Sequence, residues 1–441
     1  MNRSVHKFGG SSLSTATHYQ AVANIITSYC QFGDIIVVSA AGKTTNMLVK
    51  LWQYYKDADN QGVISTITQL KDFQTKLIEE LLEGKVEKPE IHTINEDFSV
   101  ILKLIAEKNL KEKCLLAYGE VWSARLLSQY LNHLSYHAIA FDARDLLLVN
   151  DGKLAHPENK INLKKLNDSQ LNVVTGFIAQ DTEGYTTTLG RNGSDYSATL
   201  IARYCDASSV TIWKDTKGIY SADPHDVEHA LQYLSVCREQ ISLLTKLGSP
   251  ILHTKTLEAL EGTDIKIIMR SSFENDACFT KIESPTTINQ KCFITSLHKQ
   301  SLIEINHLSD TDVLKLKQLT QCDFHTFKIK YPNGLAYQFY LIVPVNLTHS
   351  VLHYFSGRAN LLASSLFGLG IIGPRGRVSS LTKQAVVLLK KININIRFSN
   401  FQYQGIYGGY GMILSNEVMA AETLSRLHDA LFLEHKAVIT S

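Results

Sequence analysis

A glycine-rich loop in the middle of the chain carries residue types suited to bind an anion. The segment 189–197 reads LGRNGSDYS. Its glycines permit positive φ angles and close approach of the backbone to a ligand, and Arg191 offers a planar fork of donors for a carboxylate or phosphate. Ser194 or Asp195 is predicted to cap a helix that begins near Tyr196, where free N–H groups favour an anion. The segment predicts a binding site for a small acidic substrate, although a simple capped helix with a solvated arginine explains the same residues.

The strand predicted after this helix ends in two charged residues. Residues 210–213, VTIW, form an apolar and partly β-branched run that predicts a buried strand, and Lys214 and Asp215 follow at its carboxyl end. Open α/β sheets bind ligands at the carboxyl ends of their strands. Tyr220 and Asp223 lie on the turn-rich stretch beyond, which is suited to frame a nucleotide. The two loops are therefore expected to serve one ligand site.

The beginning of the chain predicts a phosphate site. Residues 4–10 form a strand-like run that ends in the KFGG motif of Lys7 to Gly10, followed by a capped amphipathic helix. A strand, a glycine turn and a helix start expose backbone N–H groups to phosphate oxygens, and Lys7 brings a positive charge to the same place. An isolated FGG motif is more often only a tight turn. Beside the Arg191 loop, the phosphate interpretation is favoured.

Two further segments offer polar groups. Residues 34–41, DIIVVSAA, form a continuous apolar run typical of a parallel sheet covered on both faces, and hydroxyl and amide groups follow it. Among these, Thr45 and Asn46 are equally suited to cap a helix that begins near Met47. Glu120 lies in a largely helical region, where its carboxylate can accept hydrogen bonds from a substrate ammonium group. An exposed helical glutamate is the commoner case.

Four separated motifs together resemble those of aspartate kinases, within the amino-acid-kinase superfamily. They are VHKFGGSSL at 5–13, VVSAAGKTTN at 37–46, YGEVWSARL at 118–126 and the segment 189–224. They occur in the family's order between residue 5 and about residue 253, which chance does not explain. The amino-acid sequences of these motifs are most similar to those in the aspartokinase half of the methionine-linked bifunctional aspartokinase/homoserine dehydrogenases.

This resemblance implies an ATP-dependent kinase that phosphorylates the β-carboxylate of L-aspartate and forms 4-phospho-L-aspartate and ADP. The reaction stands at the head of the lysine, threonine and methionine pathways. Mg²⁺ is expected to be carried mainly by the ATP phosphates. Two alternatives remain: a related enzyme acting on glutamate, acetylglutamate or a nucleotide, and a catalytically silent effector-binding subunit. The presence of Lys7, Arg191 and Asp195 disfavours the silent subunit.

The resemblance also implies roles for individual residues. Lys7 and Asp195 are expected to be catalytic, with Lys7 on the transferring phosphoryl group. The expected ATP-binding residues are Lys7, Gly9, Gly10, Ser11, Lys214, Asp215, Tyr220, Asp223 and His225. The expected aspartate-binding residues are Ser39, Thr45, Glu120, Arg191, Asn192, Gly193 and Ser194. This chain departs from the family at three positions. The family usually has a small hydroxyl residue where this chain has Lys214 and an arginine where it has His225, and many monofunctional members have a lysine where it has Pro250. The changes at Lys214 and His225 are expected to affect the affinity for ATP.

Composition excludes several other classes of protein. With 441 residues, the chain is expected to form two or three domains. A net charge of +2 argues against nucleic-acid or membrane partners, which usually need a clustered basic excess. Seven scattered cysteines without CxxC spacing are typical of reduced thiols in a cytoplasmic protein. No signal peptide or membrane-spanning run is visible.

The order of predicted elements indicates the fold class. Strands alternate with helices through residue 270, which predicts an α/β domain over 1–285 with a doubly wound, largely parallel sheet covered by helices. Residues 286–441 are expected to form a regulatory and dimerisation region. Within it, 297–352 and 364–433 each predict strand, helix, two strands, helix, and resemble paired α+β ACT modules.

The ACT-like pair implies a homodimer and an amino-acid effector. In the first copy, the turn between the opening strand and helix is HLSDTD, residues 307–312, without a glycine to let backbone N–H groups approach an effector carboxylate. We therefore expect weak or absent inhibition by threonine and lysine. The glycine-dense stretches after residue 270 are GLGIIGPRG at 368–376 and GIYGGYG at 405–411, and both fall within the ACT-like repeat, so no dehydrogenase activity is expected of these residues.

Overall fold

The chain contains two compact units. The computed structural model describes residues 3–83, 89–150, 158–190, 192–249, 251–274, 278–283, 291–320, 324–330, 337–404 and 408–433. The first unit comprises Met1–Ile219 and Leu252–Ile282, and the second comprises Tyr220–Ile251 and Glu283–Ser441. Arg191 and Pro250 lie outside the described residues. The boundary at 285 stays a prediction, and local sequence patterns did not indicate that Tyr220–Ile251 belongs with the C-terminal part.

Strands and helices follow one another along both units. The strands are β1 Ser4–Phe8, β2 Ile35–Val38, β3 Ala138–Phe141, β4 Leu148–Val149, β5 Leu171–Thr175, β6 Ile178–Asp181, β7 Thr186–Thr188, β8 Ser209–Lys214, β9 Ile219–Tyr220, β10 Gln232–Tyr233, β11 Ser235–Cys237, β12 Lys266–Ser271, β13 Thr280–Glu283, β14 Phe293–Ile305, β15 His325–Lys330, β16 Tyr337–Pro344, β17 Ala359–Pro374, β18 Ile396–Gln404 and β19 Gly408–Ser415. The helices are α1 Ala16–Tyr29, α2 Thr44–Lys56, α3 Asn60–Leu81, α4 Pro89–Ala106, α5 Glu112–His133, α6 Asn159–Asn162, α7 Gly193–Tyr204, α8 Arg238–Lys246, α9 Thr254–Glu258, α10 Asp310–Thr320, α11 Thr348–Tyr354, α12 Val378–Lys391 and α13 Ala421–Phe432.

The first unit is built on a largely parallel sheet. Its strands run in the order β13-β12-β8-β1-β2-β5-β3, with β12 and β13 antiparallel and the other neighbours parallel. All four residues of β2 are buried, because helices cover both faces of such a sheet. The predicted α/β fold class is confirmed. Strand β1 lies at the centre, between β2 and β8, so the residues after it lie at the middle of the carboxyl edge.

Helices α1 to α5 share one hydrophobic core with strands of this sheet. The buried members include Tyr19 in α1, Leu51 in α2, Leu70 in α3, Phe98 in α4 and Trp122 in α5. Helix α5 is buried on most of its surface and contacts α2, β3 and β5. Residues placed on α5 are therefore held rigidly against the sheet.

The second unit contains a six-stranded antiparallel sheet in the order β15-β16-β14-β17-β19-β18. The two predicted sequences of strand, helix, two strands, helix are confirmed: β14, α10, β15, β16, α11, and then β17, α12, β18, β19, α13. The outer strands mirror each other about the central β14–β17 pair. The sequence repeat therefore folds as a near-symmetric pair.

The two hydrophobic cores of this unit do not coincide with the two modules predicted from the sequence. Ile294 near the start of β14 and Ile371 near the end of β17 belong to one core with α12 and α13. Ile303 in the later half of β14 belongs to a different core with α10 and α11. The long strands β14 and β17 therefore each contribute residues to both cores. The predicted module starts at 297 and 364 fall inside these strands.

Among the described residues, no helix combines the length and apolar character needed to cross a bilayer.

Candidate active site

Three charged side chains, two of them buried, meet at the carboxyl edge of the central strands. Lys7 Nζ lies 2.6 Å from Asp195 Oδ1, and Lys214 Nζ lies 3.5 Å from Asp195 Oδ2. The side chains of Lys7 and Asp195 are 8% and 3% exposed. Lys7 is supplied by β1, Lys214 by the end of β8 and Asp195 by the first turn of α7. Two cations share one carboxylate, and this charged cluster suits a ligand that brings further negative charge.

The two lysines favour the ionised form of Asp195. Burial alone raises the pKa of Asp195, but the charges and hydrogen bonds of Lys7 and Lys214 outweigh burial and hold that pKa below its ordinary value. Burial lowers the pKa of Lys214, an effect that Asp195 opposes and Lys7 reinforces. Asp195 thus remains ionised and screens two cations from each other.

The predicted glycine turn lies directly beside Lys7. A Cβ atom on Gly10 would lie 2.7 Å from the Ala40 carbonyl oxygen, and Gly42 N donates to Gly10 O over 2.9 Å. The loops after β1 and β2 therefore cross in contact, which only glycine at position 10 permits. Ser11 opens a short 3₁₀ turn, Ser11–Leu13, before α1 begins.

Glu120 reaches the same region from α5. It is 2% exposed, so the alternative of an exposed helical glutamate is wrong. Its Oε1 accepts a hydrogen bond from Ala40 N at 3.3 Å, and its Oε2 is buried without a hydrogen-bond partner in the described part of the chain. Burial raises the pKa of Glu120 to about 8. A buried carboxylate with one unused oxygen is suited to a cationic group of a ligand.

The start of α7 differs from the prediction. The helix begins at Gly193, after Asn192 in the left-handed conformation with φ 52°, and no side chain caps it. Ser194 and Asp195 thus lie inside the first turn. Asp195 does not cap the helix because its carboxylate is held by the two lysines. The left-handed Asn192 and compact Gly193 allow this sharp entry; a Cβ on Gly193 would lie 2.7 Å from Phe177 Cδ2.

The start of α2 also lies earlier than predicted. The helix begins at Thr44, so Thr45 is a half-buried first-turn residue and does not cap a helix near Met47. Thr44 Oγ1 donates to the Ala41 carbonyl at 2.7 Å. Ser39, whose N–H donates to Phe8 O at 3.1 Å, is fixed beside β1.

Sequence reasoning missed a hydroxyl pair that positions the end of β8. Ser12 Oγ and Ser272 Oγ lie 2.7 Å apart, and Ser272 Oγ donates to the Lys214 carbonyl at 3.0 Å. Ser12 belongs to the KFGGSS motif and was within reach of motif analysis. Ser272 follows β12, 260 residues later, and no local pattern marks it.

Several predicted nucleotide residues are not brought into the charged cluster. Asp215 is exposed just after β8. Tyr220, Asp223 and His225 belong to the second unit, where His225 N donates to Asp223 Oδ1 over 2.9 Å. Arg191 lies outside the described residues. The roles of these five residues stay predictions.

One group of metal-ligand types lies elsewhere in the first unit, formed by His6, Cys30 and Asp34. Trp213 Nε1 donates to His6 Nδ1 at 3.3 Å. The two oxygens of Asp34 accept backbone N–H groups of Ser4 at 2.7 Å and Gln31 at 2.8 Å. The His6 and Asp34 ligand atoms thus already have hydrogen-bond partners, so the group is explained as structural.

The fold and the site together define an α/β protein with a cluster of charged side chains at the carboxyl edge of a largely parallel sheet. A model of the amino acid kinase family matches residues 2–271. The chain belongs to this family.

Individual relatives extend the comparison. The chain is 37% identical over 291 residues to the bifunctional aspartokinase/homoserine dehydrogenase 2 of Escherichia coli (strain K12), a match that covers 64% of this chain and 36% of the relative. It is 27% identical to the chloroplastic aspartokinase 1 of Arabidopsis thaliana, over 70% of this chain and 57% of that protein. The chain thus spans about a third of the length of the bifunctional relatives it matches.

Solved structures share the fold over nearly the whole chain. The crystal structure of E. coli aspartokinase III in complex with aspartate and ADP superposes with a TM-score of 0.79 at 22% identity, covering 97% of this chain and 99% of the other. The aspartate kinase of Clostridium acetobutylicum superposes with a TM-score of 0.71 at 18% identity, covering 97% and 100%.

Proposed function

We propose that the protein is an aspartate kinase, which transfers the γ-phosphoryl group of ATP to the β-carboxylate of L-aspartate. The observation that carries this proposal is the cluster of Lys7, Lys214 and the buried Asp195 beside a glycine turn, with the unpaired carboxylate oxygen of Glu120 nearby in the same loop region. The cluster suits phosphate, and Glu120 suits an ammonium group. The aspartokinase names of the relatives agree with this pairing.

The proposed reaction needs charge neutralisation more than proton transfer. One oxygen of the substrate β-carboxylate attacks the γ-phosphorus, the bond to the β–γ bridging oxygen breaks, and ADP leaves with that electron pair. The attacking carboxylate is already ionised at neutral pH. Lys7 and Lys214 would stabilise the charge on the transferring group and the leaving phosphate, while Asp195 holds both ammonium groups in place.

The roles of the remaining site residues are inferred from the resemblance to aspartate kinases and from the positions of these residues in the chain. Gly9, Gly10 and Ser11 would contact phosphate at the turn after β1. Ser39, Thr45, Asn192, Gly193 and Ser194 would orient aspartate, with Arg191 on a substrate carboxylate. Asp215, Tyr220, Asp223 and His225 would contact the nucleotide.

Magnesium fits this site as a companion of ATP. Each oxygen of Asp195 lies next to a lysine ammonium, so this carboxylate is poorly suited as a metal ligand. Mg²⁺ would therefore be held mainly by the ATP phosphates, where it neutralises phosphate charge.

Glu120 favours aspartate over acetylglutamate as the substrate. Acetylglutamate has an acylated nitrogen without positive charge and would leave the buried Glu120 carboxylate unpaired. Aspartate and glutamate both carry the ammonium group, so the length of the side chain must distinguish them. A catalytically silent effector-binding subunit does not account for two lysines converging on one buried carboxylate.

The second unit is proposed to be a pair of ACT-like modules that joins two copies of the chain and takes an amino-acid effector. The structure of E. coli aspartokinase III with lysine and aspartate shows that a protein of this fold binds such an effector. A cytoplasmic location is part of the same proposal, and it agrees with the six free cysteines among the described residues.

A coupled ADP-release assay with aspartate, glutamate and acetylglutamate tests the activity, with hydroxylamine to trap the acyl phosphate. Aspartate-dependent ADP release with trapped hydroxamate is expected. Turnover with acetylglutamate or glutamate in place of aspartate would reassign the substrate, and no turnover with any of them would favour the silent subunit.

A further inference from the structure

A cavity of about 140 Å³ lies among helices α3, α4 and α5 of the first unit. None of the residues of the charged cluster lines it. Its apolar wall is formed by Ile78, Ile94, Trp122 and Leu126. An apolar cavity of about 150 Å³ accepts a molecule the size of benzene, so this space suits a ligand of about six heavy atoms.

The charge of the wall is set by two ionisable side chains. Arg125 is already neutralised, because its Nη1 lies 2.8 Å from Asp97 Oδ2, which also accepts from Trp122 Nε1 at 2.9 Å. Glu90 also lines the cavity, and its Oε2 is buried without a hydrogen-bond partner in the described part of the chain. A buried carboxylate oxygen without a donor is unfavourable, and a ligand cation would relieve it.

We propose that this cavity is a second binding site, specific for a small aliphatic ammonium ion. The alkyl chain packs against Ile94, Trp122 and Leu126, and the ammonium group pairs with the Glu90 carboxylate. A neutral molecule of the same shape fills the space but leaves Glu90 unpaired.

The cavity is connected to the candidate active site through one buried side chain. Gln74 lines the cavity, and its Nε2 donates to Thr44 Oγ1 over 3.2 Å. Thr44 in turn donates to the Ala41 carbonyl, in the loop that contacts Glu120 through Ala40. A hydrogen-bonded path therefore links the cavity to the loop of the proposed aspartate site.

Binding is tested on the full chain by calorimetric titration with n-butylammonium chloride, with n-butanol as the neutral match. Saturable binding of the ammonium ion is expected, with n-butanol bound at least about tenfold more weakly because it lacks the charge-assisted hydrogen bond. This measurement does not depend on the kinase activity. Equal binding of the two probes, or no saturable binding of the ammonium ion up to about 50 mM, which leaves less than about 2 kcal/mol of affinity, overturns the proposal.

Variants locate the binding on the cavity. Glu90→Gln should weaken n-butylammonium binding at least about tenfold, whereas Glu96→Gln, on the same helix with a side chain 64% exposed, should not change it. Thr93→Phe fills the cavity and should abolish binding; it also serves as the test if Glu90→Gln does not fold by circular dichroism. Undiminished binding in a folded Glu90→Gln or Thr93→Phe protein would place the ligand elsewhere.

Discussion

Asp195 lies between Lys7 and Lys214 and forms an ion pair with each of them. The carboxylate is fully buried, and its ionised form is kept by the two lysines that outweigh the effect of burial on its pKa. Without the carboxylate, two ammonium groups would face each other in a poorly hydrated site. In the proposed function, this cluster binds phosphate, and Asp195 holds its two ammonium groups together.

Lys7→Ala should abolish turnover while leaving the fold intact. Loss of a charge on the transferring group should raise the barrier by about 3 kcal/mol or more, roughly a hundredfold or more in kcat. Steady-state kinetics checks this, with Lys71→Ala, an exposed lysine of α3, as the matched control. Near-normal kcat in Lys7→Ala would remove Lys7 from the mechanism.

The affinity for aspartate should depend on pH through Glu120. Its pKa of about 8 means that the carboxyl group is mostly protonated at pH 6, and binding an ammonium group requires the ionised form. The KM for aspartate should therefore fall roughly tenfold from pH 6 to pH 7 and level off above pH 8, while the KM for ATP changes little.

Glu120→Gln provides the control for this titration. It should raise the KM for aspartate and remove its dependence on pH, because the amide does not ionise. A wild-type KM for aspartate that is flat from pH 6 to pH 8 would show that Glu120 does not receive the ammonium group.

At the scale of elements, the site depends on how closely loops and helix starts pack. Gly176, after β5, lies against the first turn of α7: a Cβ there would lie 2.6 Å from Ser194 Cβ and 2.9 Å from the Val38 carbonyl oxygen. In the second unit, Ser221 Oγ lies 2.8 Å from His428 Nε2, which anchors the segment after β9 to α13. Both contacts join segments distant in sequence.

Gly176→Ala should destabilise the protein by about 1–3 kcal/mol, because the added methyl group meets backbone and a buried side chain that have no room to move. It should also lower kcat by displacing the turn that carries Asp195. Gly376→Ala is the matched control, since a Cβ at that position meets nothing within 4 Å. Thermal unfolding checks both; equal melting temperatures for the two variants would contradict the packing argument.

At the scale of the whole molecule, the second unit repeats one arrangement twice about the β14–β17 pair. The first α10 turn is closed by its own residues: Asp312 Oδ2 accepts from Ser309 N at 3.0 Å, and Asp312 N donates to Ser309 Oγ at 3.1 Å. This reciprocal cap uses N–H groups that an effector carboxylate would need. The helix start is therefore poorly suited to bind an amino acid.

The protein should be a homodimer joined through residues 297–433, with a kinase rate that millimolar threonine or lysine leaves nearly unchanged. Light scattering at micromolar concentration checks the first part, and the ADP-release assay with each amino acid checks the second. A monomer, or strong inhibition by either amino acid, would show that the role of the ACT-like pair was misassigned.

The sequence by itself determined the order of elements and the residue types of the site. The apolar run of β2 predicts a covered parallel sheet because such strands are buried on both faces. The element order of the C-terminal repeat was predicted because hydrophobic period and turn residues act locally. Lys7, Asp195 and Lys214 could be singled out because they lie at predicted strand ends or beside a glycine-rich loop, and local sequence patterns indicate both features.

Only the tertiary structure decided how these residues act together. The ion pairs of Asp195, the burial of Glu120 and the Ser12–Ser272 contact join residues far apart in the chain, so no local pattern encodes them. The start of α7 moved to Gly193 for the same reason: distant lysines hold the carboxylate that would otherwise cap the helix. The division of β14 and β17 between two cores likewise depends on strand pairing, which sequence periodicity does not specify.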